Sequence, residues 1–502
     1  MTAPLPPALP RPGGLDLGTA TVADIADALA AGRATAVELV RTYLARIEAV
    51  DRTGPGITSI RGICPDALEQ AEASDARRAA GQARGPMEGV PVLVKDNVDV
   101  AGVPTTAGTV ALAGSVPAID APLVARLRAA GAVVLGKTNL TELANFMTEG
   151  MPSGYSSLGG QVLNPYDTSV TPSGSSSGSG AAVALGLAAV AVGSETDGSI
   201  TSPADHQSLV GFKPTLGLVS RTGIFPIASS QDTAGPMART VADAAALLTV
   251  IAGPDPDDPA TSDAPSEVDY VAALDAAALR GVRLGVVDPA QDLPTGQRAV
   301  HERALEELRA AGAVLVEGVT MPQPPWQPEL AVLHHEFARD VDAYLARLPE
   351  GAPVRSLREL AEWNRAHADV ALKYGQTHVD AALAVDHAAE AEAHLARRAA
   401  DVERTRTHGI EAALRGHDVE ALVFAGASGC SWAARAGCPS VVVPAGYTAQ
   451  GRRPVGLMLV GPRWGDARLL ALAYAYEQST RHRRTPWEVN PAPYRGTSLG
   501  PA

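Results

Sequence analysis

The sequence predicts an α/β fold in which a large, mixed, twisted β-sheet is covered by α-helices on both faces. Three observations predict it. Short apolar runs such as P-V-L-V (91–94), A-V-V-L-G (132–136) and A-L-V-F (421–424) have the length and composition of buried strands. Between them lie longer segments with apolar residues at helical spacing, so strands and helices alternate as in βα units. At 46% hydrophobic and 19% charged residues, the 502-residue chain also has enough apolar material for a substantial core.

Taken in order, residues 1–14 form a Pro-rich tail, without the basic and apolar regions of an ordinary signal peptide. Thr21 and Thr35 each precede an amphipathic run and are read as helix N-caps. A further helix is expected over about 65–81. The strand P-V-L-V runs without a break into Lys95, a position that in isolation reads as a solvated strand end. A helix from about 120 then leads into A-V-V-L-G. The chain loosens between Lys137 and Asp167, and a loop that long in a compact protein is usually functional. Asn145 to Tyr155 is therefore expected to wall a substrate pocket, with Met151 as a candidate contact.

The stretch Thr171 to Pro203 is the most informative. A Gly/Ser loop, T-P-S-G-S-S-S-G-S-G, opens a small-residue helix, so backbone N–H groups and hydroxyls converge at a helix start. An apolar strand follows and ends in a second polar turn, Glu195-Thr196-Asp197-Gly198-Ser199. Two such loops around one small volume suit acyl transfer, in which a serine attacks a carbonyl and N–H donors hold the oxyanion. A phosphate-binding loop is excluded because no lysine lies between Thr171 and Ser199. His206 and Asp232 offer a Ser-His-Asp alternative, but His206 has no local motif around it.

These two loops resemble the signature of the amidase signature family, serine hydrolases with a Ser–cis-Ser–Lys triad, and the fold expected is the amidase signature fold. The family pattern is G-G-S-S-G-G-S followed by G-x-D-x-G-G-S-I-R-x-P. On that resemblance Ser175 takes the place of the bridging cis-serine and Ser199, 24 residues later, that of the nucleophile. Lys95 falls on the family's catalytic lysine, in G-V-P-V-L-V-K-D-N, and A-G-V-P-T-T-A-G-T downstream matches as well. The backbone N–H groups of Thr196, Asp197 and Gly198, with that of Ser199, correspond to the oxyanion hole. Asp197 stands where the general pattern has Gly and Thr201 where it has Arg; both resemble the bacterial peptide amidase branch, which reads E-T-D-G-S-I.

The resemblance runs from about Thr21 to Trp487 and implies one domain over 15–490, with a core signature at 85–250 and a short C-terminal tail at 491–502. Between about 320 and 416 lies a charged, Ala-rich region expected to form exposed helices covering the sheet. Its histidines, His334, His335, His367, His378, His387 and His394, lack metal-ligand spacing and read as a solvated helical face.

A net charge of −14 argues against nucleic acid or an anionic membrane as a partner. Cys64, Cys430 and Cys438 fit neither a disulfide framework nor a metal site. The expectation is a cytoplasmic, cofactor-free enzyme, monomeric or homodimeric, that acts on small-molecule or peptide amides. It would release ammonia from C-terminal peptide amides or amino acid amides. Alternatives are an aryl or aliphatic acylamidase or esterase on the same triad and, from another class, a catalytically silent binding protein.

Overall fold

The computed structural model describes residues 9–288, 292–321, 329–448, 452–495, 497 and 499. Its strands in chain order are β1 (Ile60–Ile63), β2 (Pro91–Lys95), β3 (Val133–Thr138), β4 (Tyr155–Ser156), β5 (Gly160–Gln161), β6 (Val190–Glu195), β7 (Val210–Lys213), β8 (Thr233–Ala238), β9 (Arg283–Val286), β10 (Val314–Val316), β11 (Ala421–Ala425), β12 (Ser440–Tyr447) and β13 (Pro454–Val460). Eleven of them form one mixed sheet in the order β1-β3-β2-β6-β8-β7-β12-β13-β11-β9-β10, and β4 and β5 pair as a separate hairpin. The block β3-β2-β6 is parallel, β6-β8-β7-β12-β13-β11 antiparallel, and β11-β9-β10 parallel again.

Local chemistry explains the elements nearest the site. Thr21 and Thr35 close capping boxes with Asp24 and Glu38 at the starts of the helices Val22–Ala30 and Ala36–Arg46. Every residue of β2 and of β6 is buried, which is why residues 91–94 and 190–192 read as apolar runs. The helix Ser177–Ala184 is buried all round and built from small residues because it threads between other backbones. A Cβ on Gly178 would lie 2.3 Å from the Asn139 carbonyl oxygen. Among the described residues no helix is long and apolar enough to cross a membrane.

Three expectations need correction. The helices Glu329–Ala346, Leu357–Ala366 and Thr377–Leu383 do not simply lie exposed over the sheet. Phe337, Val341, Leu345, Leu360 and Val379 join Phe146, Met147, Met151 and Phe225 in a second apolar cluster, so these helices close on the loops around the site. The charges marked their outer faces; the inner apolar stripe decided the packing.

The solvated face expected for the histidines also fails. His335 and His394 are buried with rings stacked at 4.0 Å, and His334 Nε2 lies 3.1 Å from His378 Nδ1; of the six named, His367 alone is exposed. Among the described residues no group of three or more His, Cys, Asp or Glu side chains is disposed to hold a metal.

The C-terminal tail, finally, does not begin at 491. Tyr494 is fully buried, and its hydroxyl donates to the Pro165 carbonyl at 2.6 Å. At the other end, residues 1–8 lie outside the described residues, while Pro12–Gly14 forms a 3-10 turn held by Arg33 Nη1 on the Gly13 carbonyl at 3.1 Å. Tyr494→Ala is expected to lower stability to chemical denaturation by about 3–5 kcal/mol, the cost of emptying a large buried aromatic site. An unchanged midpoint would return this segment to the status of a tail.

Candidate active site

The ends of β2 and β6 deliver the site. Lys95 closes β2 with its side chain wholly buried, and its Nζ meets two hydroxyls, Ser175 Oγ at 2.8 Å and Ser194 Oγ at 2.9 Å, together with the Ser194 carbonyl at 3.2 Å. Ser194 Oγ also accepts from Asn97 Nδ2 at 3.0 Å. Burial pushes the Lys95 amine down to about 7, against the opposing pull of Asp232 and Glu195. In its neutral form the amine has two N–H donors, which suit the hydroxyl and carbonyl of Ser194, and one lone pair, which can accept the Ser175 hydroxyl proton.

Ser175 stands just before the small-residue helix, and the Gly174–Ser175 peptide bond is cis. Its carbonyl accepts the Thr141 N–H at 3.0 Å, which ties the loop to the segment after β3. The second turn lies alongside. The Ser176 N–H donates to the Ser199 carbonyl at 3.1 Å, and Ser173 Oγ meets Ser202 Oγ at 2.7 Å. Ser199 is 7% exposed, and its Oγ makes no hydrogen bond among the described residues. Lys95 and Ser175 are therefore in contact, while Ser199 is held next to them through its backbone.

The turn is shaped by buried polar groups. The Glu195 carboxylate accepts from Ile200 N at 2.7 Å, Thr201 N at 2.9 Å and Thr201 Oγ1 at 3.1 Å, capping the helix Thr201–His206. Gly198 adopts φ +79°, a left-handed conformation suited to glycine, and no acceptor among the described residues takes the N–H of Gly198 or Ser199. The Thr196 hydroxyl donates to Asp232, whose carboxyl is pushed up to about 7 by burial. The two positions that depart from the general signature have local partners. Thr201 serves Glu195, while Asp197 accepts from Ser431 Oγ at 2.8 Å and lies 3.9 Å from the Arg435 guanidinium.

Met151 is buried in the apolar cluster with Phe146 and Phe225. A cavity of about 300 Å³ adjoins the site, lined among others by Asn97, Ser194, Thr196, Phe225, Asp232 and Tyr344; Met151 is not part of its wall. The Ser-His-Asp alternative is not assembled. His206 Nδ1 faces the Ser202 carbonyl at 3.0 Å, and Asp232 is engaged with Thr196 and the N–H groups of Ile227 and Ala228.

Ser194 and Asn97 escaped sequence reasoning. Ser194 immediately precedes E-T-D-G-S and Asn97 stands two residues past Lys95, yet neither spacing reveals that both converge on the lysine.

An amidase family model matches residues 38–470. Native peptide amidase from Stenotrophomonas maltophilia is 45% identical with a TM-score of 0.89, over 94% of this chain and 99% of that one. An amidase family protein from Bacillus anthracis is 37% identical with a TM-score of 0.88, over 93% of this chain and 92% of that one. A probable amidase of Arabidopsis thaliana is 39% identical over 93% of this chain and 91% of its own length.

The charge state of Lys95 is open to a test that requires no substrate. The unfolded chain holds this proton to about pH 10.4, the folded protein only to about 7, so between the two the unfolded state binds more protons and stability rises with pH. In denaturant titrations Lys95→Met should exceed the native protein in stability most at or below pH 7, and the difference should shrink as pH approaches 10. A difference independent of pH would mean that Lys95 is an ordinary cation.

Proposed function

The chain belongs to the amidase family, and from that premise we propose that it is a serine amide hydrolase that releases ammonia from the C-terminal amides of peptides or from amino acid amides. The observation that carries this proposal is the contact of Lys95 Nζ with Ser175 Oγ at 2.8 Å, made by an amine held near neutrality. A lysine at its ordinary value of about 10.4 is a cation at neutral pH and accepts no proton. Lowered to about 7, it has a lone pair available for much of the population.

In this account Ser199 Oγ turns toward Ser175 and attacks the amide carbon. Its proton passes to Ser175 Oγ as the Ser175 proton passes to Lys95 Nζ. The negative charge that develops on the carbonyl oxygen is held by the N–H groups of Thr196, Asp197, Gly198 and Ser199. The carbon–nitrogen bond then breaks, and the relay runs backwards: Ser175 gives a proton to the departing nitrogen and recovers one from Lys95. Ammonia leaves, and the acyl group remains as an ester on Ser199. Water, deprotonated along the same route, hydrolyses the ester and releases the carboxylate. Asn97 and Ser194 keep Nζ pointed at Ser175.

The peptide amide preference is supported by the 45% identity to peptide amidase and by Asp197 and Thr201, the two departures that match that branch. Such an enzyme removes the terminal nitrogen and leaves internal peptide bonds intact.

Ammonia release from a panel of peptide, aryl and aliphatic amides tests the proposal. Release from peptide amides should fall by at least about a thousandfold in Ser199→Ala, the scale of losing a catalytic nucleophile. Turnover only of aryl or aliphatic amides would overturn the substrate, and undiminished turnover in the variant would overturn the nucleophile. The pH profile follows from the sign of the lysine shift. kcat/KM should fall as pH drops through about 7, where Lys95 takes up its proton, and a profile flat from pH 5 to 9 would contradict Lys95 as the base.

A further inference from the structure

Thr196 opens the turn to which the proposed function assigns the oxyanion, and one short loop grips both its carbonyl and its hydroxyl. Gln231 Nε2 donates to the Thr196 carbonyl at 3.2 Å, and the Thr196 hydroxyl donates to Asp232. Asp232 in turn accepts the N–H groups of Ile227 at 2.9 Å and Ala228 at 3.0 Å, so residues 227–232 are wound around a single carboxyl group. Thr196 and Gln231 are buried.

The outer side of the same loop is held from the helical region outside the core signature. Glu336 and Asp340 lie one turn apart on the helix Glu329–Ala346, on one face of it. Glu336 Oε2 accepts the Ser230 N–H at 2.8 Å and Asp340 Oδ2 accepts the Ser229 N–H, also at 2.8 Å. From the helix His387–Val402, Arg398 Nη2 donates to the Ser230 carbonyl at 2.9 Å. Glu336 is itself buried and faces His394 Nε2 at 3.3 Å. Two carboxylates on successive helical turns thus take two successive backbone N–H groups, a charge-assisted match that fixes the loop both along and across the helix.

We propose that Gln231 and Asp232 are positioning residues that set the oxyanion turn through Thr196, and that Glu336 and Asp340 hold their loop in register, so that the covering helices govern turnover as well as substrate fit. This inference rests on the proposed Ser199 chemistry. Donors to an oxyanion act within a few tenths of an ångström, and they bind the transition state rather than the ground-state carbonyl. A loosened turn therefore lowers kcat while leaving KM nearly unchanged. A purely structural role predicts a loss of folded protein with normal constants for the fraction that remains.

The test is steady-state kinetics on four variants, each normalised to the amount of folded protein. Thr196→Val removes the hydroxyl at nearly constant shape and should lower kcat about 10- to 100-fold with KM within about threefold, the range seen when one preorganised donor is disturbed. Thr196→Ser restores the hydroxyl and should recover most of the loss. Glu336→Leu should lower kcat about tenfold, again without raising KM, whereas Glu336→Gln keeps an acceptor for the Ser230 N–H and should recover.

Unchanged kcat in Thr196→Val and Glu336→Leu, or a loss confined to KM, overturns the inference. If Glu336→Leu does not fold, Gln231→Ala carries the test, because it removes one hydrogen bond from a loop still wound on Asp232; an unchanged kcat there overturns the clamp. Fluorophosphonate labelling separates the two levels. A native protein that takes up no label at Ser199 refutes the underlying chemistry. Native and variant proteins that label alike and turn over alike refute the clamp alone.

Discussion

Burying a primary amine at the end of an apolar strand sets a condition that the surrounding structure must meet: either an acid is buried beside it to hold the proton, or the amine gives the proton up. At Lys95 burial favours the second course. Hydroxyls and a carbonyl fill its immediate shell, while the carboxyl groups that pull in the other direction, Asp232 and Glu195, are tied to Thr196 and to the start of a helix. Burial outweighs their field and brings the amine to about 7. The proposed chemistry depends on this balance, since an ammonium in the same place could orient Ser175 but could not accept its proton.

The sheet makes the balance possible. Because β2 and β6 are adjacent, parallel and buried along their whole length, both strand ends arrive together at one side of the sheet. Each contributes one part, Lys95 from β2 and Ser194 with the turn at residues 195–199 from β6. The helix Ser177–Ala184 presents Ser175 to both, and only small residues allow it to come that close. Around this core, the second apolar cluster joins the helices between about 329 and 383 to Phe146, Met151 and Phe225. The site is thus framed by two packing units, one carrying Lys95, Ser175 and Ser199 and the other closing over them.

Much of this was legible in the sequence for physical reasons. Strands buried on both faces appear as apolar runs, caps announce themselves as Thr with an acid three residues on, and turns that need backbone donors and left-handed angles are written in Gly and Ser. The pairing of Lys95 with Ser175 came from the family resemblance, since 80 residues separate them and no local pattern links them. What could not be read depends on which side of an amphipathic helix faces inward. The histidines looked solvated because their helices are rich in charge, yet His335 and His394 lie on the inner stripe. Asn97, Ser194 and Gln231 are ordinary polar residues whose significance arises only when distant loops meet. Tyr494 was hidden by the Pro/Gly composition around it, which describes the backbone and says nothing of one aromatic ring finding a pocket.

The central claim is that Lys95 is neutral in the working protein, and the most direct measurement is the titration of its side chain by 13C NMR, with the resonance assigned by comparison with Lys95→Met. The account predicts a midpoint near pH 7, well below the ordinary lysine value of about 10.4. A Lys95 signal that stays in its protonated position past pH 10 would contradict it, and would leave Ser175 without a base.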